Sequence, residues 1–144
     1  MYIIIILSVI LLDQYFKYLA VKYLKNKGSK KFGVIRLRYV ENRGAAMGFL
    51  KKYPTFLKGF SLFLVIALLV FGYMSYKTGA SMALLLSLSF IIGGGTGNVM
   101  DRFTRGYVVD FYTFEIKKLP YFNIADFFVI SGSILLLIVE MITA

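Results

Sequence analysis

The chain alternates long apolar runs with short polar segments, and the lengths of the runs set its class. Four runs reach or approach the ~20 predominantly apolar residues that a helix needs to cross a bilayer core. They are Tyr2 to Ala20, Gly59 to Tyr76, Thr78 to Met100 and Leu119 to Ala144. The second and third carry no charge, the first is interrupted by Asp13, Gln14 and Lys17, and the fourth holds Asp126 and Glu140. The pattern predicts an all-α integral membrane protein of four transmembrane helices, one domain spanning residues 1–144. Four spans put both ends of the chain on one side of the membrane and both long connections on the other. No Lys or Arg precedes the first run and no small-x-small site follows it, so it reads as a retained helix and not a cleaved signal.

The segment between the first two runs, about Val21 to Lys58, is polar. Within it Ile35, Leu37 and Tyr39 alternate with Arg36 and Arg38, the period of a strand with one apolar face. This predicts a small β-sheet element at the membrane surface between helices 1 and 2, its apolar side toward lipid or substrate. A solvated hairpin would show the same alternation. Lys77, Thr78 and Gly79 leave room only for a tight turn, so the second and third helices are antiparallel neighbours. A second polar segment, about Asp101 to Pro120, joins the last two helices.

Composition narrows the chemistry. Hydrophobic residues make up 59% of the chain, and Cys and His are both absent. Disulfides, a zinc site, a thiol nucleophile and an imidazole base are thereby excluded. Hydrolytic chemistry would have to come from Asp, Glu, Lys, Ser or Tyr. The net charge of +10 is matched to anionic phospholipid headgroups and not to nucleic acid; each basic residue near such a surface is worth about 1 kcal/mol. Fifteen basic residues fall on the side of the long connections and only Lys77 on the other. The positive-inside rule alone would put those connections in the cytoplasm.

Three polar constellations sit in or beside the apolar runs. Asp13 and Lys17 are four apart on one helix face with the acid first, the favourable order for an ion pair. A charge at mid-bilayer costs about 2.5–3.5 kcal/mol, so such a pair faces protein, either as a structural bridge or as part of a site. In ENRGAAMGF, residues 41–49, small Gly44, Ala45, Ala46 and Gly48 permit close approach of a backbone or ligand beside Asn42. A turn capped by asparagine has the same composition. In IIGGGTGNVMDR, residues 91–102, no Lys follows the glycines and no spaced dinucleotide pattern exists. Gly93 and Gly97 are better explained as close helix packing, which leaves Asn98, Asp101 and Arg102 gathered at the helix end.

The last constellation is the most unusual. Asp110 sits within VVDFY and Asp126 within NIADFF, two carboxylates embedded in apolar residues at the same membrane edge. Brought close in an apolar setting they cannot both ionise easily, so one holds a proton. Such a pair can activate water and polarise a carbonyl without His, Cys or metal. The plain alternative makes Asp126 a helix N-terminal residue and Asp110 a turn residue.

Taken in order, DQYFK (13–17), NRGAAMG (42–48), GGTGNVMDR (94–102), VVDF (108–111) and FNIAD (122–126) resemble the motif set of lipoprotein signal peptidase, or signal peptidase II. The resemblance covers nearly the whole chain. It implies a membrane aspartic endopeptidase that cuts diacylglyceryl-modified bacterial prolipoproteins just before the lipidated cysteine, with no cofactor and no metal. By motif position Asp110 and Asp126 match the catalytic pair. Asn42, Asn98, Arg102 and Asn123 match substrate-binding positions; Asp13, Lys17, Gly44 and Asp101 match supporting ones. The chain is expected to work as a monomer, and the resemblance implies a multi-pass protein of the bacterial cytoplasmic (inner) membrane with its site at the extracytoplasmic face, against the charge bias. Substrate would enter laterally from lipid past Phe111, Phe127 and Phe128. Met47 and Phe127 depart from the family pattern and bear on pocket shape. The competing readings are another intramembrane aspartic protease, whose GxGD motif is missing here, and a small proton-coupled transporter.

Overall fold

The computed structural model describes residues 1–44, 50–116 and 119–143. Ala45, Ala46, Met47 and Gly48, singled out above for close approach and pocket shape, lie outside the described residues, as do Lys117 and Lys118 of the basic connection. Four helices are long and apolar enough to cross a membrane: α1 (Tyr2–Leu24), α2 (Pro54–Lys77), α3 (Met82–Thr104) and α4 (Ile124–Thr143). The protein is a multi-pass membrane protein.

Helix ends differ from the apolar runs where local chemistry outweighs hydropathy. α3 starts at Met82 and not at Thr78, because Gly79 adopts φ +74° and the Ser81 side chain caps the helix by accepting from the Leu84 N–H at 3.2 Å. α4 starts at Ile124 and not at Leu119. Phe122 is instead held in a β-bridge with Tyr112, and a reciprocal cap then opens the helix. The Asp126 N–H donates to Asn123 Oδ1 at 2.9 Å, while the Asn123 N–H donates to Asp126 Oδ2 at 3.2 Å.

α3 is the central helix, packed against α4, α1 and α2. Its glycines make that possible. A Cβ on Gly93 would lie 2.8 Å from Val9 Cβ, and one on Gly94 would lie 2.4 Å from the Ala125 carbonyl oxygen. Small residues are what bring helices together in lipid, where no hydrophobic force acts between them.

A three-stranded antiparallel sheet, order β1-β2-β3, covers one end of the bundle. β1 (Lys30–Phe32) and β2 (Ile35–Asn42) form the expected hairpin, and β3 (Val108–Phe114) joins it from the second connection. Of the expected apolar side of the sheet, Leu37 and Tyr39 face protein and Ile35 stays exposed. Leu37 and Tyr39 pack on a cluster of Ala20, Leu24, Val109 and Phe111 that glues the sheet to the end of α1. Phe111, placed at the lipid border by the sequence reading, is buried in that cluster. Phe127 is exposed on the bundle surface.

Candidate active site

The site forms where the sheet meets the ends of α1, α3 and α4. Register brings its first members together: β2 pairs with β3 so that Val40 faces Asp110 and Asn42 faces Val108. The Asn42 side chain thereby reaches Asp110, donating Nδ2–H to Oδ2 at 2.9 Å. Its own Oδ1 accepts the Gly44 N–H at 3.0 Å, which turns the amino end of the amide toward the carboxylate.

Asn123 and Asn98 repeat this logic. Asn123 Oδ1 is occupied by the Asp126 N–H, so its Nδ2 points outward and donates to Asp110 Oδ1 at 2.7 Å and to Asn98 Oδ1 at 3.1 Å. Asn98 Oδ1 also accepts from Lys17 Nζ at 2.9 Å, leaving its Nδ2 to donate to Asp126 Oδ1 at 2.9 Å. Each of the four carboxylate oxygens of Asp110 and Asp126 therefore accepts one N–H. Three amides with fixed orientation hold two acids. Asp110 is 2% exposed and Asn123 fully buried, and burial followed by the negative charge of Asp126 raises the Asp110 carboxyl to about 7. The hydrogen bonds from Asn42 and Asn123 act the other way without cancelling that rise.

Beneath the acids lies an ion cluster. Lys17 Nζ contacts Asp13 Oδ2 at 2.7 Å and Asp101 Oδ2 at 3.2 Å, and all three side chains are fully buried. The i,i+4 pair expected within α1 is thus one arm of a bridge to α3. Asp13 Oδ1 accepts the Ala125 N–H at 2.9 Å, tying α1 to the first turn of α4. Asp101 Oδ2 accepts the Val109 N–H at 3.0 Å, tying α3 to β3 one residue before Asp110. Gly97 leaves the space that the Asp13 carboxylate fills, since a Cβ there would lie 2.5 Å from Oδ2.

Arg102 is set apart from this cluster. Its guanidinium donates to the carbonyls of Asn98 and Gly44 at 3.3 and 3.4 Å, and buried Nε has no partner among the described residues. Gly44 serves as the link between Asn42 and Arg102. Two polar residues escaped the sequence reading. Gln14 reaches Asp13, Asp101 and the Gly97 carbonyl at 3.2–3.3 Å, and Arg105 pairs with Asp101. Asp101 and Arg105 are four apart on one helix, the spacing that singled out Asp13 and Lys17, so that signal was available.

A cleft of about 270 Å³ opens beside Asp110, lined among others by Asn42, Arg43, Gly44, Lys51 and Tyr121. Among the described residues no group of His, Cys, Asp and Glu is arranged to hold a metal ion.

Comparison with known proteins agrees over almost the full length. The family described as Signal peptidase (SPase) II matches residues 5–142. The lipoprotein signal peptidase of Caldanaerobacter subterraneus subsp. tengcongensis is 41% identical over 140 residues, covering 94% of this chain and 92% of that protein. The lipoprotein signal peptidase of Halothermothrix orenii is 42% identical over 142 residues, covering 94% and 91%. Two bacterial membrane enzyme structures, determined in meso at 2.3 and 1.9 Å resolution, both superpose with a TM-score of 0.83. They are 29% and 30% identical, with 97% and 96% of this chain covered and 87% and 91% of theirs.

Proposed function

Because the chain belongs to the signal peptidase II family, we propose that Asp110 and Asp126 are the catalytic pair with which it removes signal peptides from prolipoproteins. The protein is a membrane endopeptidase, and the observation that carries the assignment of its site is the shared ligation of both acids by Asn123. Two carboxyls so held, one of them raised to about 7, are suited to be one protonated and one ionised at neutral pH.

The reaction needs only this chain's own groups and no cofactor. The ionised carboxylate takes a proton from water as its oxygen adds to the scissile carbonyl carbon. The protonated carboxyl donates to the carbonyl oxygen as negative charge develops there. Collapse of the tetrahedral gem-diol breaks the C–N bond, the proton taken from water goes to the leaving amine, and the hydroxyl made from the carbonyl oxygen gives its proton back to the second carboxylate as the product carbonyl re-forms. The pair then returns to its starting protonation, and the titration belongs to the pair. Asn42, Asn98 and Asn123 keep the acids in register, and Arg102, whose Nε–H has no partner among the described residues, offers a donor to the substrate backbone. Asp13, Lys17 and Asp101 fix the scaffold.

The substrate is the diacylglyceryl-modified form, cut before the lipidated cysteine, and its acyl chains reach the site from the bilayer. The 144 residues work as one peptidase unit, a monomer surrounded by phospholipid in the bacterial cytoplasmic membrane, with the site at the outer face. Incubation of the purified protein with diacylated and non-acylated versions of one lipobox peptide tests this reading. Cleavage of the diacylated peptide alone is expected; equal cleavage of both would remove the lipid from recognition.

A further inference from the structure

The Asp101 carboxylate is held at both of its oxygens. Oδ2 accepts from Lys17 Nζ at 3.2 Å and from the Val109 N–H at 3.0 Å. Oδ1 accepts from the Arg105 guanidinium and from the Gln14 amide, the latter at 3.3 Å. Gln14 closes the ring, because its own Oε1 accepts from Arg105 at 3.4 Å. The last torsion of an aspartate is soft, so a carboxylate held at one oxygen swings. Donors on both oxygens stop that motion.

What the fixed carboxylate holds is the strand that carries the first acid. Asp110 is bracketed on β3 by two ties. The Val109 N–H before it goes to Asp101, and the Phe111 N–H after it goes to the Phe122 carbonyl at 2.9 Å. The first tie sets the strand against α3 and Asn98, the second against Asn123 and Asp126.

Arg105 is the outermost member of this cluster. Its side chain is 29% exposed, whereas Asp13, Lys17 and Asp101 are fully buried. It stands at the C-cap of α3, where its N–H donates to the Asp101 carbonyl at 2.8 Å and the helix dipole favours a cation. Capping alone would affect stability and leave the turnover of folded protein unchanged. The contact of the guanidinium with Asp101 Oδ1 has no part in capping.

We propose that Arg105 is a positioning residue of the peptidase: with Gln14 it clamps Asp101, and so holds the Val109 N–H and the Asp110 carboxyl beside Asn123 and Asp126. It acts through Asp101 and not on the substrate, so the steps written above are unchanged. Its loss leaves Asp101 paired with Lys17, and no buried charge is stranded. The fold therefore survives while the strand end beside Asp110 slackens. The inference rests on the assignment of the aspartate pair.

The test is Arg105→Met, which removes the guanidinium and keeps a long side chain. With a diacylated lipobox peptide, kcat is expected to fall about tenfold with KM within about twofold of the parent. Arg105→Lys returns a cation to Asp101 and is expected to recover most of that loss. An unchanged kcat in Arg105→Met overturns the proposal, as does a rise in KM alone or a loss that lysine does not restore. Gln14→Leu opens the clamp with every ion pair intact, and kcat is expected to fall there too. Full turnover of Gln14→Leu overturns the clamp even where Arg105→Met does not fold. Asp110→Asn is measured beside them. An inactive Asp110→Asn with a fully active Arg105→Met removes only the arginine, whereas an active Asp110→Asn removes the aspartate pair itself.

Discussion

Asn123 donates its side-chain N–H to Asp110 at 2.7 Å, and its own backbone N–H is held by Asp126 at 3.2 Å. A residue whose more obvious task is to cap α4 thus couples two acids sixteen positions apart. The plain reading of Asp126 as a helix N-terminal residue holds, and the same cap leaves its carboxylate beside Asn98 and Asn123. The cap is the device that aims the carboxylate.

Replacing either acid by its amide keeps size and most hydrogen bonding but removes the ability to exchange a proton. Asp110→Asn and Asp126→Asn are each expected to abolish cleavage of a diacylated peptide while leaving thermal unfolding of the purified protein close to the parent. Substantial turnover in either variant would show that the reaction does not use the pair.

The pH dependence has a definite sign. Burial and the charge of Asp126 lift the Asp110 carboxyl from an ordinary 3.8 to about 7. The folded protein therefore binds this proton more tightly than the unfolded chain, and the group's contribution to stability is lost as pH rises from 3.8 through about 7. Activity follows the same proton, because a doubly ionised pair has no acid to give. Turnover is expected to decline with unit slope above about pH 7. A flat profile across that range would put the working proton elsewhere.

The helices, the two embedded acids and the Asp13–Lys17 pair were legible because each obeys a one-dimensional signal: run length for the spans, apolar embedding for the acids, spacing for the pair; Asn123 came only with the family resemblance. β3 was not. VVDFYTF, residues 108–114, is rich in strand formers, but its pairing partner β2 lies more than sixty residues earlier, and nothing local announces that contact. The direction of the amides of Asn42, Asn98 and Asn123 was equally hidden, because the donors that occupy their oxygens, the Gly44 N–H, Lys17 Nζ and the Asp126 N–H, are set in three dimensions.

Glycines of the membrane helices differ sharply in what they tolerate. A Cβ on Gly94 would meet the Ala125 carbonyl at 2.4 Å, and backbone cannot swing away, so Gly94→Ala must push α3 from α4 one residue before Asp126. Overpacking of this kind costs about 1–3 kcal/mol, and turnover should fall with it. Gly59→Ala meets nothing within 4 Å and serves as the comparison, expected to be neutral or slightly stabilising. Equal thermal midpoints for the two variants would mean that the α3–α4 contact does not set the spacing.

The basic connections set the family's orientation against the positive-inside rule. The natural chain has no cysteine and Lys30 is exposed on β1, so Lys30→Cys supplies a unique thiol. In intact cells a membrane-impermeant maleimide is expected to label it, placing the sheet and acids outside. Protection in intact cells with labelling after lysis would place them in the cytoplasm.

Lys17 holds the deepest charge of the site, fully buried between Asp13, Asp101 and Asn98. Lys17→Met would leave the buried Asp13 carboxylate without a cation, while Asp101 keeps Arg105, and free the Asn98 amide to turn away from Asp126. Removing one partner of a buried ion pair costs about 3–5 kcal/mol, so both the thermal midpoint and turnover should drop steeply. Asp13→Asn in the same chain removes the stranded charge and keeps an oxygen for the Ala125 N–H. The double variant is therefore expected to unfold at a higher temperature than Lys17→Met alone, yet to recover little activity, because Asn98 is still unanchored. A double variant whose destabilisation equals the sum of the two single changes would show that the two charges are not coupled.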